Sequence, residues 1–331
     1  MHSQTPSTIA RFAALLTVLA SAAPAIAQDT ADKYPARVIR FIVPQPTGGA
    51  SDFTARVIGQ KLTEAWGQQV LVDNRGGAGG NIGTELVARA NPDGYTWLLG
   101  FVGTHAINPA LYKNLSWDPE KNFAPLAMLA AVPFVIVAHP GLPAKNMTEL
   151  VAYAKANPGK VRYGSGGNGT ANHLIGPMIA SAAGIQLTHV PYRGVAISVT
   201  NTVAGEVQLT FGSVTVALGL IRGGQLRAIA MTSAKRTPLL PDVPTLAESG
   251  FPGFDVTPWF GILTTAGTPP AVIRKVNAQI NQLLQTRDVA DRFASQGAEP
   301  YPLSPAEFSK VLRADIVRWA KVVKESGATI D

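Results

Sequence analysis

The chain has 331 residues, 46% of them hydrophobic, and 28 Lys and Arg against 21 Asp and Glu give a net charge of +7. It contains no cysteine, which excludes disulfides, thiolate metal sites and lipid attachment through a thiol. Five histidines at positions 2, 105, 139, 173 and 189 show no metal-ligand spacing, so no metal is expected. The basic residues are dispersed without interleaved aromatics, which argues against a nucleic-acid partner.

Residues 1–27 read as a signal peptide. Arg11 gives a positive start, Phe12–Leu19 is the apolar stretch, and Ala25-Ile26-Ala27 fits a small-x-small cleavage site before Gln28. An exported chain without cysteine suggests the periplasm. Arg11 is the only charged residue removed, so the mature chain keeps +6, a balance compatible with acidic small ligands. No later stretch is apolar enough to span a bilayer; Leu126–Ala138 is short and broken by Pro133.

From there, strand and helix alternate. Val38–Val43 reads as a strand, Phe53–Trp66 as a helix, Val70–Val72 as a strand, Asn81–Ala90 as a helix and Tyr95–Leu99 as a strand. That βαβαβ order predicts a parallel, doubly wound sheet with ligands along the edge where strands end and helices begin. After the apolar crossing Leu126–Ala138 a second series follows. It comprises helix Met147–Ala156, strand Val161–Tyr163, helix Ala171–Ala183, strand Leu187–Pro191 and helix Ala196–Ala204. Strand Gln208–Phe211, helix Val214–Ile221 and strand Leu226–Thr232 continue it. A return strand, Trp259–Thr264, leads to helices Ala271–Gln285, Asp288–Gln296 and Pro305–Ser326. Two series with two crossings predict two lobes and a hinge: residues 28–130 and 255–331 in one lobe, 131–254 in the other.

Two glycine-rich turns join a strand to a helix, one in each series. The first runs from Pro44 to Asp52 and the second from Gly164 to Thr170. A helix start presents unpaired N–H groups and the positive dipole end, and glycine admits an anion close to the backbone. Two such seats suggest lobes closing on one anionic ligand. In the first, the amides of Gly48, Gly49, Ala50 and Ser51 are the expected contacts. Asp52 is either a dipole partner shaping the loop or a direct contact. Gly76–Asn81 resembles a dinucleotide fingerprint, but the third glycine falls at Gly83 instead of position 82, so no nucleotide cofactor is expected. Ser165 lacks the glycine two residues earlier that a nucleophile elbow needs, Tyr163 standing there. It reads as a hydroxyl donor or turn former. His173, one turn into the next helix, either packs or contacts ligand. Thr104, in Gly103-Thr104-His105, and Tyr192, in Tyr192-Arg193-Gly194, follow strand ends on the same edge.

Several segments, taken in order, span the mature chain: Ile42-Val43-Pro44 through Gly48-Gly49 to Asp52, Val72–Gly83, Pro92–Thr96, Gly166–Thr170, His189–Gly194, Pro241–Thr245 and Trp259-Phe260-Gly261. The series resembles the substrate-binding proteins of tripartite tricarboxylate transporters, the Bug family. The resemblance implies an α/β, two-lobed periplasmic binding protein fold of type II, with two doubly wound sheets joined by a hinge of crossing strands. It implies a small organic carboxylate as ligand, a membrane permease as partner, no cofactor, no enzymatic activity and, as is usual for such receptors, a monomer. Carried over by position, the ligand site comprises Gly48, Gly49, Ala50, Ser51, Asp52, Ser165, Asn168, Gly169, Thr170 and His173. Two departures stand out. The family often has an aromatic residue where Gln45 stands and proline where Thr47 stands. It often has Asp, able to meet a ligand amine, where this chain has Gly212-Ser213, which points to a plain mono- or dicarboxylate. Two rival readings are a sensor feeding a membrane kinase and a hydrolase using Ser165 with His173.

Overall fold

The computed structural model describes residues 32–326, Gln296 excepted. The expected signal peptide lies outside the described residues. In chain order the first run is β1 (Ile39–Val43), α1 (Ala50–Trp66), β2 (Val70–Asn74), α2 (Asn81–Ala88), β3 (Thr96–Phe101) and the short α3 (Asn108–Leu111). Then come β4 (Phe123–Ala131), β5 (Phe134–Ala138), α4 (Met147–Ala156), β6 (Val161–Ser165), α5 (Ala171–Ala183) and β7 (Leu187–Pro191). Next are α6 (Val195–Val203), β8 (Leu209–Ser213), α7 (Val214–Arg222) and β9 (Arg227–Met231). The chain ends with β10 (Trp259–Thr265), α8 (Pro270–Leu284), α9 (Arg287–Ser295), β11 (Glu299–Pro300) and α10 (Pro305–Ser326).

Two sheets result, ordered β11-β4-β10-β3-β1-β2 and β7-β6-β8-β5-β9. Each contains the same parallel unit, β2-β1-β3 in one and β7-β6-β8 in the other. The parallel reading holds for those strands only. β10 runs antiparallel to β3 and β4, and β5 runs antiparallel to β8 and β9, so both sheets are mixed. The physical reason is the crossings: β5 and β10 each enter their sheet from the other one, against the direction of the βαβ strands. The single apolar segment Leu126–Ala138 is therefore two strands of two sheets, broken at Val132-Pro133. The two crossings are tied together. Val132 N donates to Pro258 O at 2.7 Å, Thr232 N to Phe134 O at 2.9 Å, and Val256 N to Thr232 O at 2.8 Å.

Strand alternation feeds different cores. Ile39, Phe41 and Val43 with Trp97, Leu99 and Phe101 pack under α1 and α8, while Ile42 and Leu98 join the opposite core. That second core also holds Ile136 and Ala138 of the other sheet, Leu174 and Ile175 of α5, and Phe308, Leu312 and Trp319 of α10. The C-terminal helix is thus a shared wall. Its approach requires Gly261 on β10, where a Cβ would lie 2.4 Å from Phe308 Cζ and 3.2 Å from Ala127 O. No helix among the described residues is long and apolar enough to cross a membrane. Gly261→Ala is expected to destabilise the fold by about 1–3 kcal/mol through overpacking, read as a lower urea midpoint at unchanged m-value.

Candidate functional site

The carboxyl ends of β1 and β6, each flanked by its two parallel neighbours, carry the two glycine turns. This is the switch point of each open sheet, where ligands bind.

The first seat is the start of α1. Gly49 caps the helix in extended conformation without a side-chain cap, and the first helical bond is Phe53 N to Gly49 O at 3.0 Å. The amides of Gly49, Ala50, Ser51 and Asp52 precede that bond and point out of the helix start. Gly48, with φ +86°, leaves the expected donor set: its N–H donates to Asp52 Oδ2 at 3.1 Å. Asp52 Oδ1 accepts from Arg56 Nε at 3.0 Å, and Arg56 Nη2 donates to Asn74 Oδ1 at 3.0 Å. Burial pushes the Asp52 carboxyl up, but the bonds from Arg56, Gly48 and Asn74 outweigh it and hold it below the usual carboxylate range. Asp52 therefore shapes the loop. Ser51 Oγ donates to Gln45 Oε1 at 2.6 Å, which binds the residue standing in the aromatic position to the helix start. A cavity of about 450 Å³ opens beside Gly48, Gly49 and Phe53, with Val216 of α7 facing them from the other sheet.

In the second seat part of the donor set is engaged within the loop itself and the start of α5. Gly167 N donates to Ser165 Oγ at 3.1 Å, Gly166 N to Asn172 Oδ1 at 3.4 Å, and Gly169 N to His173 Nδ1 at 3.4 Å. Thr170 caps α5 without a side-chain cap bond, its hydroxyl donating to Gly167 O at 2.6 Å. Ser165 is fully buried, and its Oγ lies 2.6 Å from Nε2 of His189. His173 is 7% exposed and its ring stacks on His189 with centroids 4.2 Å apart. The structure thus pairs Ser165 with His189 instead of His173, because β7 lies beside β6 in register (Tyr163 opposite His189). The serine–histidine pair suggested by the sequence does not form, and His173 is turned toward the loop backbone. Burial lowers both imidazoles to about 4, His173 adding to the effect on His189.

The turn Gly76–Gly80 separates the two seats. A Cβ on Gly80 would meet Pro44 O at 3.1 Å, and one on Gly79 would meet Asn168 O at 3.4 Å. Gly79 and Gly80, with φ +65° and +95°, let the first loop and the second loop approach the same wedge. Asn168 is exposed on the second loop, and Gly169 is buried against Asn108, Leu111 and Tyr112 of the first sheet's side. Tyr192 borders the second loop, its N–H donating to Ser165 O at 3.1 Å. Thr104 is placed elsewhere than its strand-end position suggests. The chain turns inward over Gly103–Ile107, and Thr104 is fully buried with its hydroxyl on Phe101 O at 3.1 Å and His105 Nδ1 at 2.9 Å. Sequence reasoning missed Asn108, Asn172 and His189, whose roles depend on contacts 27, 6 and 24 residues away in the chain. Among the described residues no group of three or more His, Asp or Glu could hold a metal ion.

The family model for the tripartite tricarboxylate transporter family receptor, TctC, matches residues 54–328. The chain belongs to that family. It is 36% identical to BugT of Bordetella pertussis over 321 residues, 97% of this chain and 98% of the relative. Among solved structures it is similar to Rpa4515 of R. palustris with adipate (34% identity, 90% and 100% of the two chains, TM-score 0.86). It is similar also to MatC from Rhodopseudomonas palustris with bound malate (31% identity, 88% and 100%, TM-score 0.82). The protein is a periplasmic solute-binding receptor of the TctC family, with a two-lobed α/β fold and not an enzyme.

Asp52→Asn is expected to loosen the first loop, because a neutral amide cannot accept from Gly48 and Arg56 as a carboxylate does. A loss of about 1–2 kcal/mol follows from removing charge-assisted bonds, read by urea unfolding at pH 7. In the parent, this contribution is present above the unfolded carboxylate value and is lost as pH falls through the lower folded one, so the two proteins converge in strong acid.

Proposed function

We propose that this receptor captures a small organic carboxylate between its lobes and delivers it to the membrane permease of a tripartite tricarboxylate transporter. The observation that carries the reading is the uncapped start of α1, where Gly49 borders a cavity lined by α1 and reached by Val216 of α7. Relatives that hold adipate and malate support the class of ligand. The lobes comprise residues 28–130 with 255–331, and 131–254, and the hydrogen-bonded crossings at Val132 and Pro258 act as the hinge. Closure is favoured when one anion touches both seats, since only that state offers the second set of contacts. Residues 1–27 direct export and are removed near Gln28, and the mature receptor acts as a monomer.

Ser213 supports a ligand without an amine. It caps α7, is 2% exposed, and its hydroxyl has no partner within the protein. A neutral hydroxyl there lacks the charge that would select an ammonium group, and it can donate to an oxygen.

The test is calorimetry of the mature receptor with malate, adipate and monocarboxylates. Gly49→Val is expected to weaken binding about tenfold or more with little change in melting temperature. The backbone at Gly49 is extended, and a Cβ there has only Ser51 Oγ, at 3.9 Å, within reach. Thr170→Val, which removes the hydroxyl holding Gly167 O, is expected to weaken binding similarly. Carboxylate affinity unchanged in both variants would overturn the two-seat model.

A further inference from the structure

The two seats differ in one respect: the first presents its amides, whereas in the second the Ser165 hydroxyl and the amides of Gly166, Gly167 and Gly169 are engaged by side chains of the same lobe. Two of those partners are imidazoles. His173 Nδ1 accepts the Gly169 N–H, so that nitrogen carries no proton and His173 is the Nε2–H tautomer. With His189 in its Nδ1–H tautomer, the Ser165 hydroxyl donates to Nε2 at 2.6 Å, and Gly167 O at 3.4 Å is its alternative acceptor. Ser165 Oγ also accepts the Gly167 N–H. Two ring nitrogens therefore hold back a hydroxyl and an amide that an anion on this loop would require.

Protonation reverses both bonds. A proton on His189 Nε2 turns that nitrogen into a donor toward Ser165 Oγ, and the Ser165 O–H must point elsewhere. A proton on His173 Nδ1 sets N–H against N–H and expels the Gly169 amide from the ring. Either event frees one donor at the loop and places a positive charge beneath it. The rings are stacked at 4.2 Å with planes 21° apart, so a charge on one opposes a charge on the other and the pair takes up one proton at a time. The other groups facing them carry no charge at neutral pH. Tyr163 of β6 lies 5.0 Å from the His189 ring and donates its hydroxyl to His173 O; Tyr112 and Asn108 reach Gly169 from the first sheet's side. The charge interaction at the pair is the mutual one between the two rings.

We propose that carboxylate capture at the second seat is coupled to uptake of one proton by the His173–His189 pair, which releases Ser165 O–H and Gly169 N–H to the anion. The proton comes from solvent, moves to a ring nitrogen and returns when the ligand leaves; no covalent bond to the ligand is made. The pair starts neutral, both rings titrating near 4, and a bound carboxylate raises them. Affinity for the dianion therefore increases as pH falls from about 6 toward 4, by up to about tenfold per pH unit where a full proton is taken up. The coupling to capture rests on the carboxylate reading above; the control of the loop by the rings does not.

Two measurements on the mature receptor test this. Without ligand, an NMR pH titration is expected to move the Gly167 and Gly169 amide resonances with the same midpoint as the His173 and His189 rings. Amides that stay fixed through the ring titration would overturn the proposal. With malate and adipate as probes, calorimetry at pH 5 in two buffers of different ionisation enthalpy is expected to show proton uptake by the protein once the protons released by the probes' own carboxyls are subtracted. The uptake should shrink in His189→Gln and in His173→Asn, whichever of the two retains the parent's fold by melting temperature. Heat of binding with no proton uptake counts against this inference alone, whereas no binding of any carboxylate counts against the receptor's assigned ligand class.

Discussion

The cleft depends on helix starts that no side chain caps. The first amides of a helix have no partner within it, and proteins normally cover them with a side-chain oxygen. This chain does so away from the cleft. Asn146 accepts from Glu149 N at 2.9 Å ahead of α4, and Ser304 with Glu307 forms a reciprocal box ahead of α10. Along the cleft edge the rule is suspended. α1 begins at Gly49, α2 at Gly80, α5 at Thr170, α6 at Gly194 and α7 at Ser213, none with a side-chain cap bond. Glycine removes the cap at three of these and also clears the approach. The polar groups left open concentrate where the two sheets face each other.

That concentration follows from topology. Both sheets place their first strand between the second and third, so each has its switch point at the end of that strand. The crossings through Val132-Pro133 and Thr232–Pro258 set those ends toward each other, and their mutual hydrogen bonds make the pair of crossings one element. The core shared with α10 then joins apolar residues of both sheets, Leu98 and Ile136 among them, to Phe308 of that helix. A cleft made this way has walls of strand and helix joined by two short crossings, the arrangement that the proposed hinge closure requires.

Elements bounded by strong local signals are legible in the sequence to the residue. α5 is followed by Gly184 in the left-handed region, and α10 starts at Pro305 after the capping Ser304; their ranges and those of α4 and β7 match the expected ones. Strand ends are less legible. β2, β6 and β8 continue to Asn74, Ser165 and Ser213, because polar residues there serve the site instead of ending the strand. The inward turn at Gly103–Ile107 is hidden for another reason. Thr104 and His105 look like surface residues, yet His105 is fully buried between Trp117 and Phe123, with its Nε2 unpartnered, and burial lowers it to about 3. Packing against residues a dozen or more positions away decides that, and no local pattern carries it. The same holds for His189, which only strand register brings to Ser165.

In the proposed mode of capture, the two loops hold an anion without a dedicated cation. In the first, Arg56 is engaged by Asp52 and Asn74, and Arg292, which also lines the cavity, by Asp288, so the seat offers helix dipole and amides instead of an unpaired cation. A buried ion pair at that position would carry a large desolvation penalty and would leave a strong unpaired charge after release. Neutral donors avoid both costs, which suits a receptor that must give its ligand up. The second loop adds the charge only when it is wanted, because its imidazoles are neutral when empty and are the only groups in contact with it that titrate in mild acid. Placing the ionisable pair beneath the loop instead of in the cleft keeps the empty receptor's site uncharged. The ligand's own carboxylate then supplies the field that stabilises the proton.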